Sequence, residues 1–245
     1  MIEIHLTLLI DYIILKASIS CPICMRKILI LSLVIFAGCH LSENKSIVPP
    51  EVSKTRAVIL NGGLGTISLM LPARYDTTFA WIHYSDCGAP CEKRKYRFQP
   101  KTLPVNMENG YFYKTLQDSV EQFTIVHNPY IAADDSDKTD NRDFIISFHD
   151  HKKFDIIHDP RLRTIKSDTV EKIGDRYFSI IVIDKFDSAR AVVSKRLLST
   201  TTIKRGTIDF NFELATKQKD SLTNNFIDNA KYYLRTIRIN NNKDK

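Results

Sequence analysis

Between residues 207 and 214 apolar and polar side chains alternate without a break, with Ile208, Phe210, Phe212 and Leu214 on one side. A period of two belongs to a β-strand with one buried face. Directly afterwards Leu222, Phe226, Ala230 and Leu234 recur four residues apart, flanked by Ile227 and Tyr233, and Asp220 or Ser221 stands where an N-cap is needed. The stripe on that helix must be covered, and the apolar face of a sheet is the surface available to cover it. The expected class is therefore α+β, a central antiparallel β-sheet with helices packed on it.

The rest of the chain extends this picture. Strands are predicted over 56–60 and 66–71, joined by the positive-φ residues Asn61-Gly62-Gly63 and closed by Pro72. Further strands are expected at 81–84, 95–98, 111–113, 122–127, 177–183 (after a Gly174-Asp175 turn) and 199–203. A helix is predicted over 144–157 with Phe144, Ile145, Phe148 and Ile156 inward. The acid-rich run 134–140 lacks the central glycine and final glutamate of a calcium loop, so it reads as a solvated loop. Hydrophobic residues make up 43% and charged residues 26%, which excludes a disordered chain and a multi-span membrane protein. One domain over 56–240 is expected, followed by a basic tail at 241–245.

The amino-terminal residues address location. Arg26 and Lys27 precede the apolar run 28–37, and Gly38 and Cys39 follow, in the charged, apolar and small-residue order of a signal peptide. The run is too short to span a bilayer. Phe36-Ala37-Gly38-Cys39 resembles the lipobox of bacterial lipoproteins, with Phe where Leu is more usual. That resemblance implies cleavage after Gly38, diacylglyceryl transfer to the Cys39 sulfur, acylation of the new amino group, and hence a membrane partner reached through lipid. More than one acyl chain is needed for stable anchoring, at about 0.8 kcal/mol for each buried methylene. Met25 opens a complete signal peptide by itself, so translation is expected to start there, with 1–24 and its Cys21 and Cys24 an upstream extension. Residues 39–55 read as the lipidated cysteine and a flexible tether. His40 follows the cysteine in place of the aspartate tied to inner-membrane retention, which favours the outer membrane.

The formal charge is +7, and Lys16, Arg26 and Lys27 against Glu3 and Asp11 leave +6 on the part from Cys39 onward. These cations are scattered among acids, with no recognition helix or zinc finger, so nucleic acid is not an expected partner. An envelope protein or a surface glycan is expected instead.

The order of elements resembles the Mog1/PsbP-like fold, on the strength of Thr66-Ile67-Ser68-Leu69-Met70-Leu71-Pro72, Tyr177-Phe178-Ser179-Ile180-Ile181-Val182, Thr207-Ile208-Asp209-Phe210-Asn211-Phe212 and the helix from Phe226 to Ile237. The whole chain is similar to uncharacterised lipoproteins of Bacteroidetes-type bacteria, in which a segment like Ser85-Asp86-Cys87-Gly88-Ala89-Pro90-Cys91 occurs. The resemblance implies an α/β/α sandwich and a role in binding or assembly, while fold alone does not assign function.

Cys87 and Cys91 are the only cysteines after Cys39, and in an oxidising compartment that arithmetic favours a disulfide. A thiol–disulfide switch tuned by Lys93, Arg94 and Lys95, or a metal site assisted by His83, remains open beside it. His149 and His151 are weak metal candidates: two histidines at i and i+2 share a face on a strand but not on the predicted helix. With His158 and Asp150 they read as exposed polar residues, and His127 as a hydrogen-bonded residue at the core edge. GxSxG, HExxH and P-loop motifs do not occur in the sequence, and no cofactor is implied. The leading expectation is a non-enzymatic binding module, with a periplasmic thiol or metal protein at Cys87 and Cys91 as the alternative. A hydrolase assembled only in three dimensions would have to gather His127, His149 or His151 with carboxylates in a pocket.

Overall fold

In the computed structural model of the chain, the described residues are 50–60, 65–84, 86, 92–105, 119–129, 142–159, 164–203 and 206–240. They form, in order, β1 (Ser53–Leu60), β2 (Gly65–Pro72), β3 (Thr77–His83), β4 (Lys93–Gln99), β5 (Val120–Pro129), α1 (Arg142–His158), β6 (Ile165–Ile173), β7 (Arg176–Asp187), β8 (Val192–Ile203), β9 (Gly206–Thr216), α2 (Ser221–Arg235) and β10 (Arg238–Asn240). Seven strands make one sheet in the order β3-β4-β5-β9-β8-β7-β6, and β1-β2-β10 make a second. Every pairing is antiparallel, so the α+β class with a central antiparallel sheet holds.

The alternating residues of β9 explain the layers. Ile208, Phe210, Phe212 and Leu214 face a core shared with Phe123 and Ile125 of β5, Phe178, Ile180 and Val182 of β7, and Phe226, Ala230 and Leu234 of α2. Ile67, Leu69 and Leu71 bring the three-stranded sheet into the same core. Successive strand residues point to opposite faces, and Ile181 and Ile183 of β7 pack instead with Ile156 of α1. The large sheet thus has α1 on one face, with α2 and the small sheet on the other. β7 is buried on both faces, which is why its sequence is a continuous apolar run rather than an alternation.

Polar links fix the edges of the core. Asp220 Oδ1 accepts from the Thr223 amide at 2.8 Å and caps α2. Thr236, just past that helix, accepts from the Met70 amide at 2.9 Å, and the Ser53 and Tyr233 hydroxyls meet at 3.1 Å. Arg74 pairs with Glu51 and Glu121. Gly174 takes φ +64° in the two-residue turn between β6 and β7, a conformation that a side chain at Cβ disfavours.

Several expectations need correction. Phe144, expected inward, is 43% exposed, because the sheet-facing line of α1 runs through Ile145, His149 and Ile156 and Phe144 lies off it; Phe148 is half-buried. β6 was not expected at all, β3 and β8 begin earlier than predicted, and β1 begins at Ser53 rather than Arg56. The predicted turn at 61–63, strand at 111–113, loop at 134–140 and tail at 241–245 lie outside the described residues, as do Cys39, Cys87 and Cys91. No helix among the described residues is long and apolar enough to cross a membrane.

Candidate binding face

Outside the apolar patch of Ile181 and Ile183 under α1, the face of the seven-stranded sheet that carries this helix is polar where the opposite face is apolar. α1 packs mainly on β7, with further contacts to β6 and β8. Beneath the helix, His149 is 6% exposed, so it is not the exposed polar residue expected. Its Nδ1 lies 2.8 Å from Ser179 Oγ on β7, and its Nε2 lies 3.5 Å from Asp168 Oδ2 on β6. Lys153, one turn further along α1, also pairs with Asp168, and that ammonium holds the Asp168 carboxyl below the usual carboxylate range.

Ser, His and Asp in series are the components of an acyl-transfer triad. Here Ser179 is 1% exposed, beneath α1. At that burial the hydroxyl does not meet solvent. The array bolts α1 to two strands, by the hydrogen bond of His149 to Ser179 of β7 and the ion pair of Lys153 with Asp168 of β6.

Beyond α1 the polar layer continues across the sheet. Asp209 on β9 accepts from Thr200 on β8 at 2.6 Å and from Asn128 on β5 at 2.8 Å, with Lys152 of α1 at 3.7 Å. Glu213 accepts from Arg196 at 2.6 Å and from Gln122 at 2.8 Å. Both half-buried acids are thus paired with cations and hydrogen-bonded, which offsets their partial desolvation. At the β3–β4 end the balance turns cationic and aromatic. Cross-strand pairing sets Trp81 opposite Lys95, Phe79 opposite Arg97 and His83 opposite Lys93. The Arg97 guanidinium sits 4.9 Å from the Trp81 ring centre and the Lys95 ammonium 5.9 Å from it, both within cation–π range. Trp81 Nε1 donates to His83 Nε2 at 3.1 Å and thereby fixes the indole. Arg97 is buried at 2% exposure and supports the ring from within, while the half-buried Lys95 and Trp81 can meet an anionic group and a flat apolar surface.

The structure does not bring His83, His149 and His151 together. His83 belongs to β3, His149 lies under α1, and His151 is on the exposed side of that helix near Asp155, at 3.7 Å. Among the described residues no group of three or more His, Cys, Asp or Glu side chains is placed to hold a metal. His158 Nδ1 meets the Phe154 carbonyl at 2.7 Å on the surface.

His127 also differs from expectation. It is buried at the core edge on β5, but its Nε2 has no hydrogen-bond partner among the described residues. Burial, with the Arg94 guanidinium opposite, lowers its pKa from 6.5. As pH falls below about 6.5 the unfolded chain takes up a proton before the folded one. The stability that the neutral ring allows is complete above that value and is lost as pH falls through the lower folded value. Thermal melts from about pH 7 to about pH 5 should show a smaller fall for His127→Leu than for the wild type; equal slopes would refute this.

No protein-family model matches the chain, and no curated protein is significantly similar to it. Among solved structures the chain is similar to the crystal structure of a protein from Bacteroides thetaiotaomicron VPI-5482, with a TM-score of 0.38 and 13% identity over 78% of this chain. The match covers 50% of that protein's chain, so this chain spans about half of its length.

Proposed function

We propose that this domain is a non-enzymatic binding or assembly module of the cell envelope, held by lipid on Cys39 and engaging an envelope protein or a surface glycan. The observation that carries the reading is the half-buried pair Trp81 and Lys95, backed by the buried Arg97, at the β3–β4 end of the sheet away from α1. The inaccessible Ser179 supports binding over acyl transfer, since a nucleophile must reach its substrate. The run 28–39 supports export and anchoring, with the outer membrane favoured. The layer order, with α1 and α2 on opposite faces of an antiparallel sheet, supports a Mog1/PsbP-like arrangement.

Crosslinking in intact cells, followed by purification of the full chain, tests this reading. A reproducible protein or acidic glycan should be captured, and Trp81→Ala with Lys95→Glu should reduce its recovery at least about fivefold. Repeated recovery of nothing, or equal recovery by the variant, would contradict it.

A further inference from the structure

A cavity of about 270 Å³ lies between β10 and the β6–β7 turn, on the α2 side of the large sheet. Its walls combine two chemistries. Ile173, Phe178, Ile237 and Ile239 supply an apolar surface, while Arg176 and Arg238 supply guanidinium groups.

Arg176 is the unusual member. It is 7% exposed, and its Nη1 donates to the Thr202 carbonyl at 3.1 Å. Its Nε is buried with no hydrogen-bond partner. The adjacent carboxylate, Asp175, stands 3.9 Å from that nitrogen, beyond hydrogen-bond reach, and its own side chain is largely exposed. Burying a guanidinium with an unmet donor is costly unless something completes the pairing. Arg238 adds positive charge at the rim while donating to the Arg235 and Ile237 carbonyls. The space beside Gly174 is open, since a Cβ built there would meet nothing within 4 Å.

We propose that this cavity binds a small carboxylate with a short apolar body, its charged end on Arg176 and its body against Ile173, Phe178, Ile237 and Ile239. A singly charged planar group suits one guanidinium whose end nitrogens give a single hydrogen bond among the described residues, from Nη1 to the Thr202 carbonyl. A phosphate would bring further charge beside Asp175 with few donors to meet it. The volume is slightly below the roughly 300–1,000 Å³ typical of small-molecule sites, which limits the body to a few carbons. The cavity and the Trp81 strip lie on opposite faces of the sheet, so the two proposals stand or fall separately.

Calorimetric titration of the full chain in lipid nanodiscs, against empty nanodiscs, tests the site with three probes: hexanoate, hexanamide and acetate. Hexanoate should bind saturably, with the other two at least about tenfold weaker because each lacks one of the two features. Arg176→Gln should weaken hexanoate at least about tenfold. Asp175→Asn, at an exposed position, should tighten it by about two- to fivefold by removing the competing carboxylate, which a merely damaged fold would not do. Ile239→Glu, which places a carboxylate on the apolar wall, should abolish binding. Absence of saturable hexanoate binding, hexanamide matching hexanoate, or Asp175→Asn leaving the affinity unchanged would overturn the assignment.

Discussion

Replacing Phe123 with alanine is expected to lower the unfolding free energy by about 3–5 kcal/mol, the largest effect of any single truncation considered for this domain. The ring is fully buried at 0% exposure, and its centre lies 4.4 Å from that of Phe212, 6.0 Å from Phe98 and 6.4 Å from Phe210. These contacts join β4, β5 and β9, the middle of the large sheet, so its neighbours are held by hydrogen-bonded strands and have little freedom to close the void. The melting temperature should fall on the order of 10 °C for a domain of this size. Phe123→Leu, which keeps most of the volume, should cost less than half as much. Thermal or urea unfolding reads both, and similar losses for the two variants would mean that the ring cluster is not close-packed.

Removing His149 should cost about 2–4 kcal/mol, because the change leaves a void under α1 and strands the Ser179 hydroxyl without its partner. The distinctive expectation concerns the pair. His149→Leu together with Ser179→Ala takes away both polar groups, and losing both partners is far less costly than losing one. The double variant should therefore be more stable than His149→Leu alone, with a coupling of about 1–2 kcal/mol in the double-mutant cycle. The same variants separate a bolt from a catalyst. Wild type and Ser179→Ala should turn over an activated ester at the same background rate, whereas a burst in the wild type that Ser179→Ala abolishes would make Ser179 a nucleophile.

How much of this could be read from the residues depended on whether one element carried the pattern alone. β9 and α2 were legible because each has one buried and one polar face, at periods of two and about 3.6. β7 was legible because burial on both faces makes it uniformly apolar. β6 was hidden: it is an edge strand whose Asp168, Glu171 and Lys172 answer to α1, α2 and Tyr177, so its alternation is masked by charges that pair elsewhere. His149 could not be read as buried, since its hydroxyl partner lies 30 residues away on another element. The same holds for the candidate binding face. Lys93, Arg94 and Lys95 were visible as a basic cluster beside the cysteines, but the register that sets Lys95 and Arg97 around Trp81 is a cross-strand fact. A cue did exist: Trp81 and His83 alternate along one strand, and Lys93, Lys95 and Arg97 along the next, at the spacing that puts all five on one face.

Lipid on Cys39, as proposed, would fix the compartment and with it the partners that the Trp81 strip can meet. Intact-mass measurement of the protein extracted from its own membranes is the most direct test. The account predicts a chain that begins at Cys39 and is heavier than its residues by a diacylglyceryl group and an acyl group. A chain that retains residues before Cys39 and carries an unmodified thiol there would contradict it.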